Sequence, residues 1–219
     1  MNLKQRHRYI IKKTAEYISN FTDKGCFVET GVKQGTASVI MAKELKRKGY
    51  LFDTWKNLPH FGKFDAFTMK RRQKLRKRIK HGKNTYLECI TNLSKNRVYS
   101  LCEMIKGDIC KTVPRFVRKQ KNLSVSLLHS DSDLYEPTKI SLEYFWPFLI
   151  EGGIVLIHDY GTKQWPGIKK IVDEFKKRKD VFSYIFDKDI VALAILFKNK
   201  KNKYEKDFDE FIKLILKEI

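Results

Sequence analysis

The chain has 219 residues, 42% of them hydrophobic, with 15 Phe and 10 Tyr, which excludes a disordered chain and fits one domain of ordinary size. Lys and Arg number 46 against 25 Asp and Glu; the resulting +21 is spread over nearly every segment, which favours a generally basic surface over a dedicated nucleic-acid site. The four cysteines (26, 89, 102, 110) lack metal-site spacing, the basic N-terminus lacks an apolar h-region, and no apolar run nears the ~20 residues of a membrane span; a reduced, cytoplasmic protein is expected.

Residues 2–20 read as a helix with Tyr9, Ile10, Ala15, Tyr17 and Ile18 on its apolar side. The stretch CFVETGVKQGTASVI, residues 26–40, then runs from an apolar strand through Glu29, Thr30, Gly31, Gly35 and Thr36 into a helical pattern of Ala37, Ile40, Met41 and Leu45. A glycine-bearing turn from strand to helix aims free backbone N–H groups and the positive end of the helix dipole at whatever sits above it. Doubly wound α/β domains hold nucleotide-like cofactors this way, although the same pattern also makes a plain tight turn. Gly49 is expected to stop the helix, with residues 50–52 as a second strand ending at Asp53. An acid there, about 20 residues after the glycine turn, suits ribose hydroxyls; the plainer reading is a strand-end cap.

Residues 55–63 read as loop, and DAFTMKRRQKLRKRIK (65–80) as a basic helix. That helix is the best nucleic-acid candidate in the chain, yet it lacks aromatic interleaving. A short helix over 85–93 and a third strand over 101–105 follow, then Lys106-Gly107-Asp108. A helix over 112–119 is expected to open at Thr112, with Pro114 in its first turn. Residues 123–128 form a buried-type strand leading into His129-Ser130-Asp131-Ser132-Asp133. A helix over 136–148 is expected to end at Gly152-Gly153, before a fifth strand over 154–157 that finishes at His158-Asp159-Tyr160-Gly161. A helix over 167–179, an antiparallel pair over 181–186 and 190–197, and an amphipathic helix over 204–219 complete the chain.

This alternation predicts an α/β, doubly wound, mostly parallel seven-stranded sheet of the Rossmann-like class. The expected layout is one domain: a helical extension over 1–24, a core over 25–198 and a C-terminal helix over 199–219. Ligands of such folds sit at the carboxyl ends of the strands. Those ends carry Glu29, Asp53, Asp108, Asp131 and Asp159.

The series FVETGVxxG, LFDTWxNLP, KGDIxxTVP, LLHSDSDLYEPT and EGGIVLIHDYG resembles the macrocin O-methyltransferase family over residues 27–175. The resemblance implies a class I S-adenosyl-L-methionine-dependent enzyme that methylates hydroxyls of sugars on natural products and glycans. It implies that Glu29, Thr30, Gly31, Gly35 and Thr36 line the methionine and ribose side of the cofactor. Asp53 would take the ribose hydroxyls, with Thr54, Trp55 and Asp108 beside the adenine. Asp131 matches a metal-ligand and near-base position. Where metal-binding members carry an acid pair, this chain has His158-Asp159. Imidazole suits Zn²⁺, Fe²⁺ or Ni²⁺ better than Mg²⁺, yet Asp131 and Asp159 suffice for a weak Mg²⁺ site, so the expectation is open between Mg²⁺ or another divalent metal on Asp131, Asp159 and His158 and a metal-free site with His158 as general base. His129 is a second base candidate, with a satisfied core-edge histidine as its plainer reading. Tyr135 and Tyr160 are candidates to orient a glycosyl group. The expected partner is a small-molecule or glycan acceptor, with a homo-oligomer open. The alternatives are a nucleic-acid methyltransferase recruited by charge and a non-catalytic cofactor- or partner-binding protein of the same fold.

Overall fold

In the computed structural model the described residues are 1–56, 61–65, 70, 73, 85–187, 189–198 and 205–219. The strands are β1 (Cys26–Thr30), β2 (Gly49–Asp53), β3 (Cys102–Lys106), β4 (Val125–Ser130), β5 (Leu149–His158), β6 (Val181–Phe186) and β7 (Leu193–Lys198). They form one sheet in the order β3-β2-β1-β4-β5-β7-β6, parallel throughout except where β7 pairs with β5 and β6. The chain leaves β1 on one side for β2 and returns on the other for β4, so the strand order reverses beside β1. Their carboxyl ends are where such a fold opens a crevice.

The described helices are α1 (Leu3–Phe21), α2 (Thr36–Leu45), α3 (Thr85–Lys95), α4 (Ile109–Lys119), α5 (Tyr135–Phe145), α6 (Pro166–Phe175) and α7 (Glu205–Leu216). Successive side chains of a strand point to opposite faces. Phe27 therefore joins a core with Ile10, Ile18, Met41, Leu45 and Phe208, whereas Val28 joins a second core with Val113, Leu142 and Val172. Burial of both faces explains why β4 and β7 read as continuous runs without polar alternation. Asn2 opens α1 through a reciprocal capping box: it accepts from the Gln5 N–H at 3.0 Å, and its own N–H donates to Gln5 Oε1 at 2.8 Å.

Several element boundaries differ from those expected. Lys46, left-handed at φ 52°, ends α2, and Gly49 lies inside β2 with the Phe27 ring over it. The helix α4 opens at Asp108, whose carboxylate accepts from Cys110 N–H at 3.0 Å, so Pro114 lies in its interior rather than its first turn. Gly152 and Gly153 do not end a helix. The register of β4 with β5 slips between Val125↔Leu149 and Leu127↔Ile154, so both glycines sit in a bulge within β5. The loop 55–63 is described only in part, and most of the basic segment 65–80 lies outside the described residues. Among the described residues no helix is long and apolar enough to cross a membrane.

Candidate active site

Two backbone bonds draw the carboxyl end of β1 against those of β2 and β4. Gly31 N–H donates to Phe52 O at 2.9 Å, and Asp131 N–H donates to Thr30 O at 2.8 Å. Gly31 has φ 89°, and a Cβ there would lie 2.1 Å from the Asp131 carbonyl oxygen. Only glycine lets the turn after β1 approach the acid after β4. Gly35, φ 73°, starts α2 where a Cβ would lie 2.8 Å from Cys89 Sγ on α3. Having no side chain, it leaves the first N–H groups of α2 uncapped.

Above this junction lies a cavity of about 510 Å³, whose wall includes Glu29, Gly31, Thr36, His129, Asp131, His158 and Asp159, closed on one side by α1. Glu29 is 2% exposed; its Oε1 faces His129 Nδ1 at 3.1 Å and its Oε2 accepts from the Ser38 hydroxyl. Burial raises its pKa, opposed by those two partners. His7 of α1 lies with Nε2 3.4 Å from His129 Nε2 and stacks on His158 with centroids 4.2 Å apart. Burial, and then His158 and His129, push the His7 pKa well below its ordinary value, so this ring is neutral.

His158 Nδ1 lies 3.0 Å from Asp131 Oδ1 and 3.3 Å from Asp159 Oδ2. Burial lowers its pKa, but the two carboxylates outweigh burial and lift it to about 11. Asp131 shows the converse: burial raises its pKa, and His158 and Lys33 carry it well below the usual carboxylate range. Asp131, His158 and Asp159 each offer one ligand atom within 4.8 Å of the others. Asp133, left-handed at φ 65°, stands behind them; burial drives its pKa well up, with Lys33 opposing and Asp131 and Asp159 adding to the rise.

The sequence profile of the macrocin O-methyltransferases (TylF) matches residues 3–198. The chain belongs to that family. It is 24% identical over 181 residues to a demethyldecarbamoylnovobiocin O-methyltransferase of Streptomyces niveus, a match covering 78% of this chain and 65% of the relative, so the chain spans less than two thirds of that relative's length. Among solved structures it is similar to the calicheamicin methyltransferase CalS11, with a TM-score of 0.71 at 21% identity over 90% of this chain and 80% of that one. A second CalS11 structure bears the name TDP-rhamnose 3'-O-methyltransferase. The O-methyltransferase TomG from Streptomyces achromogenes, solved in complex with SAM, matches with a TM-score of 0.60 at 11% identity over 86% of this chain and 79% of that one. These structures share the fold expected of a macrocin O-methyltransferase.

The expected site residues fall into two groups, with Thr30 and Gly35 outside both. Glu29, Gly31, Thr36, His129, Asp131, His158 and Asp159 share the cavity. Thr30 does not face it: its hydroxyl is fully buried, donating to Ser130 Oγ at 3.2 Å and accepting from Ser141 at 3.1 Å. Asp53, Thr54, Trp55 and Asp108 form a separate edge. Asp53 Oδ2 accepts from Val32 and Lys33 N–H at 2.7 and 2.8 Å, and Oδ1 from Trp55 N–H at 2.7 Å. Thr54 Oγ1 accepts from Lys56 N–H at 3.1 Å, and Trp55 is buried, donating its Nε1–H to Lys33 O at 3.0 Å. Gly107 N–H binds Asp53 O at 2.9 Å and Asp108 caps α4. The acid expected at the ribose thus ties the glycine turn together.

His158, expected as either a metal ligand or a general base, lies with Nδ1 between two carboxylates. His129 has both ring nitrogens engaged, by Glu29 and His7, in line with its plainer reading. Tyr135 and Tyr160 donate their hydroxyls to Glu174 and Asp173 of α6, each at 2.8 Å, so they pack the loop tips. His7 and Lys33 line the cavity and Asp133 lies beside it, three residues absent from the expected set. Asp133 had a signal, being the second acid of DSDLY; His7 had none, because only the tertiary fold lays α1 over the cavity.

Proposed function

We propose that this protein is an S-adenosylmethionine-dependent O-methyltransferase acting on a hydroxyl of a sugar or glycosylated small molecule. One observation carries the reading: the glycine turn after β1 and the Asp131–His158–Asp159 cluster after β4 and β5 line the same cavity. Membership of the macrocin O-methyltransferase family supports it, as do the names of the S. niveus relative and of CalS11.

The cavity suits the cofactor chemically. The uncapped first turn of α2 borders it at Thr36 and Ala37, offering N–H groups and a positive helix end to a carboxylate. Bound S-adenosylmethionine supplies an electrophilic methyl carbon. In this reading Gly31 and Glu29 form the wall that orients it. Asp131 and Asp159 accept the hydrogen bond of the acceptor hydroxyl, and Asp159 takes its proton as the new O–C bond forms and the methyl–sulfur bond breaks, releasing S-adenosylhomocysteine. His158, protonated between them, keeps two half-buried carboxylates compatible at close range.

Asp131, Asp159 and the His158 imidazole also fit a divalent ion once Nδ1 gives up its proton. Two carboxylates and one imidazole suit Zn²⁺, Fe²⁺ or Ni²⁺ better than the all-oxygen octahedron of Mg²⁺. Such an ion would supply Lewis acidity at the acceptor hydroxyl. The test is calorimetric titration with S-adenosylhomocysteine, then transfer of labelled methyl to sugar-bearing acceptors with and without chelator. Micromolar binding followed by O-methylation is expected. Absence of S-adenosylhomocysteine binding by the folded protein overturns the reading.

A further inference from the structure

Three polar side chains of the cavity take no part in the proton transfer: Glu29, His129 and His7. One line of bonds joins them. It starts in the first turn of α2, where the Ser38 hydroxyl donates to Glu29 Oε2. Glu29 Oε1 faces His129 Nδ1 at 3.1 Å, and His129 Nε2 faces His7 Nε2 at 3.4 Å. The line thus runs from α2 through β1 and β4 to α1, and it ends on the roof of the cavity.

Donors and acceptors along it balance in one way. Glu29 receives a donor on each oxygen, which favours its carboxylate. A neutral His129 then gives its one ring proton, on Nδ1, to Glu29, so its Nε2 accepts and His7 supplies the proton between the two rings. His7 is also neutral, so its proton is on Nε2 and its Nδ1 keeps a bare lone pair. Among the described residues nothing bonds that nitrogen, and it is not sealed from solvent as Arg6 Nε is. Stacking on His158, with centroids 4.2 Å apart, fixes the plane of the ring. The roof therefore carries an oriented, neutral acceptor whose bond only water or a ligand completes.

The other end of the same wall offers the opposite groups, the uncapped first N–H groups of α2 beside Thr36 and Ala37. Donors at one end and a bare acceptor at the other suit the amino-acid end of a cofactor, a carboxylate on the helix and an ammonium on the imidazole. The carboxylates nearby are committed elsewhere, Glu29 to Ser38 and His129, and Asp131 and Asp159 to His158. The two cations of the floor are offset by acids, His158 by that pair and Lys33 by Asp131 and by Asp133 at 4.0 Å. We propose that His7 Nδ1 accepts a hydrogen bond from the α-ammonium of S-adenosylmethionine, which makes α1 part of the cofactor site. This rests on the methyltransferase reading above.

The test is calorimetric titration of wild type, His7→Gln and His7→Asn with S-adenosylhomocysteine and with its analogue lacking the α-amino group. A glutamine amide reaches the place of Nε2 and keeps the bond to His129, with no acceptor at the place of Nδ1. An asparagine amide does the reverse. S-adenosylhomocysteine should bind His7→Gln about tenfold more weakly than wild type, with His7→Asn between the two, whereas the analogue should bind all three alike. Melting temperatures report the bond to His129 and should follow the other order, His7→Gln above His7→Asn. Nitrogen NMR of the labelled wild type should show His7 Nδ1 unprotonated, with a shift on adding S-adenosylhomocysteine and none on adding the analogue; this arm decides if a variant fails to fold. Suppose wild type binds S-adenosylhomocysteine, but His7→Gln binds it as tightly, or the analogue loses as much affinity, or Nδ1 carries the proton. The role of His7 is then wrong and the methyltransferase reading stands. If wild type binds no S-adenosylhomocysteine, both fall.

Discussion

Two edges of the same sheet carry acids at their strand ends, and the fold uses them in opposite ways. At the β1–β2–β3 edge, Asp53 accepts three backbone N–H groups and Asp108 caps a helix, so these carboxylates hold loops in place. At the β4–β5 edge, Asp131 and Asp159 meet an imidazole instead, within a cavity. The residue type and its place on the strand are the same. What differs is whether a turn wraps its N–H groups around the carboxylate. The turns after β1 and β2 do so, with Lys33 and Trp55 both at positive φ; Asp131 lies just past β4, its side chain left to His158. The same residue type at a strand end can thus hold a turn together or face a cavity, according to the backbone around it.

Substitutions on the two edges test that contrast. Asp131→Asn keeps the shape but removes the charge that holds His158 and meets the acceptor; methyl transfer should fall about 10²–10⁴-fold, with S-adenosylhomocysteine binding nearly unchanged by calorimetry. Asp53→Ala should show the reverse emphasis. It strands the Val32, Lys33 and Trp55 N–H groups, lowering stability by about 2–4 kcal/mol in denaturant melts, with cofactor affinity falling because the turn loosens. An Asp53→Ala protein of unchanged stability that loses only cofactor affinity would make Asp53 a ligand-binding acid and erase the difference between the edges. Asp108→Ala, loss of a cap alone, should cost about 1 kcal/mol and leave the turnover of the folded protein intact.

The parallel core was legible because both faces of β4 are buried, and the glycine turn because its strand, glycines and helix follow in the spacing such a turn needs. Family motifs led to Asp131 and Asp159. Three things were hidden for physical reasons. Glycine signals a turn in sequence whether it makes a turn, a bulge or room for a ring, so Gly49 and the Gly152-Gly153 pair misled the boundaries. Hydrogen bonds to Asp53 come from residues about 20 positions away, and nothing local announces them. The roof of the site comes from α1, whose polar face looks solvated in sequence but packs His7 onto His158.

The smallest effect concerns an acid that belongs to neither edge but steadies the loop after β5. Asp173 of α6 accepts from the Tyr160 hydroxyl at 2.8 Å and pairs with Lys176 at 2.8 Å and with Lys169. Partial burial raises its pKa, but these three donors outweigh burial and take it down to about 2. The unfolded value is about 3.9, so the folded state holds the charged form more tightly. The contribution is complete above the unfolded value and is lost as pH falls through the folded one. Water screens this partly exposed cluster, which leaves about 1 kcal/mol. Denaturant melts of wild type and Asp173→Asn should therefore differ by that amount at pH 6, and the gap should close between pH 4 and pH 2. Asparagine still accepts from Tyr160, so the loop keeps its anchor and the turnover at neutral pH should match wild type. A gap that persists undiminished at low pH would mean that packing around Tyr160, and not the charge on Asp173, holds the loop beside Asp159.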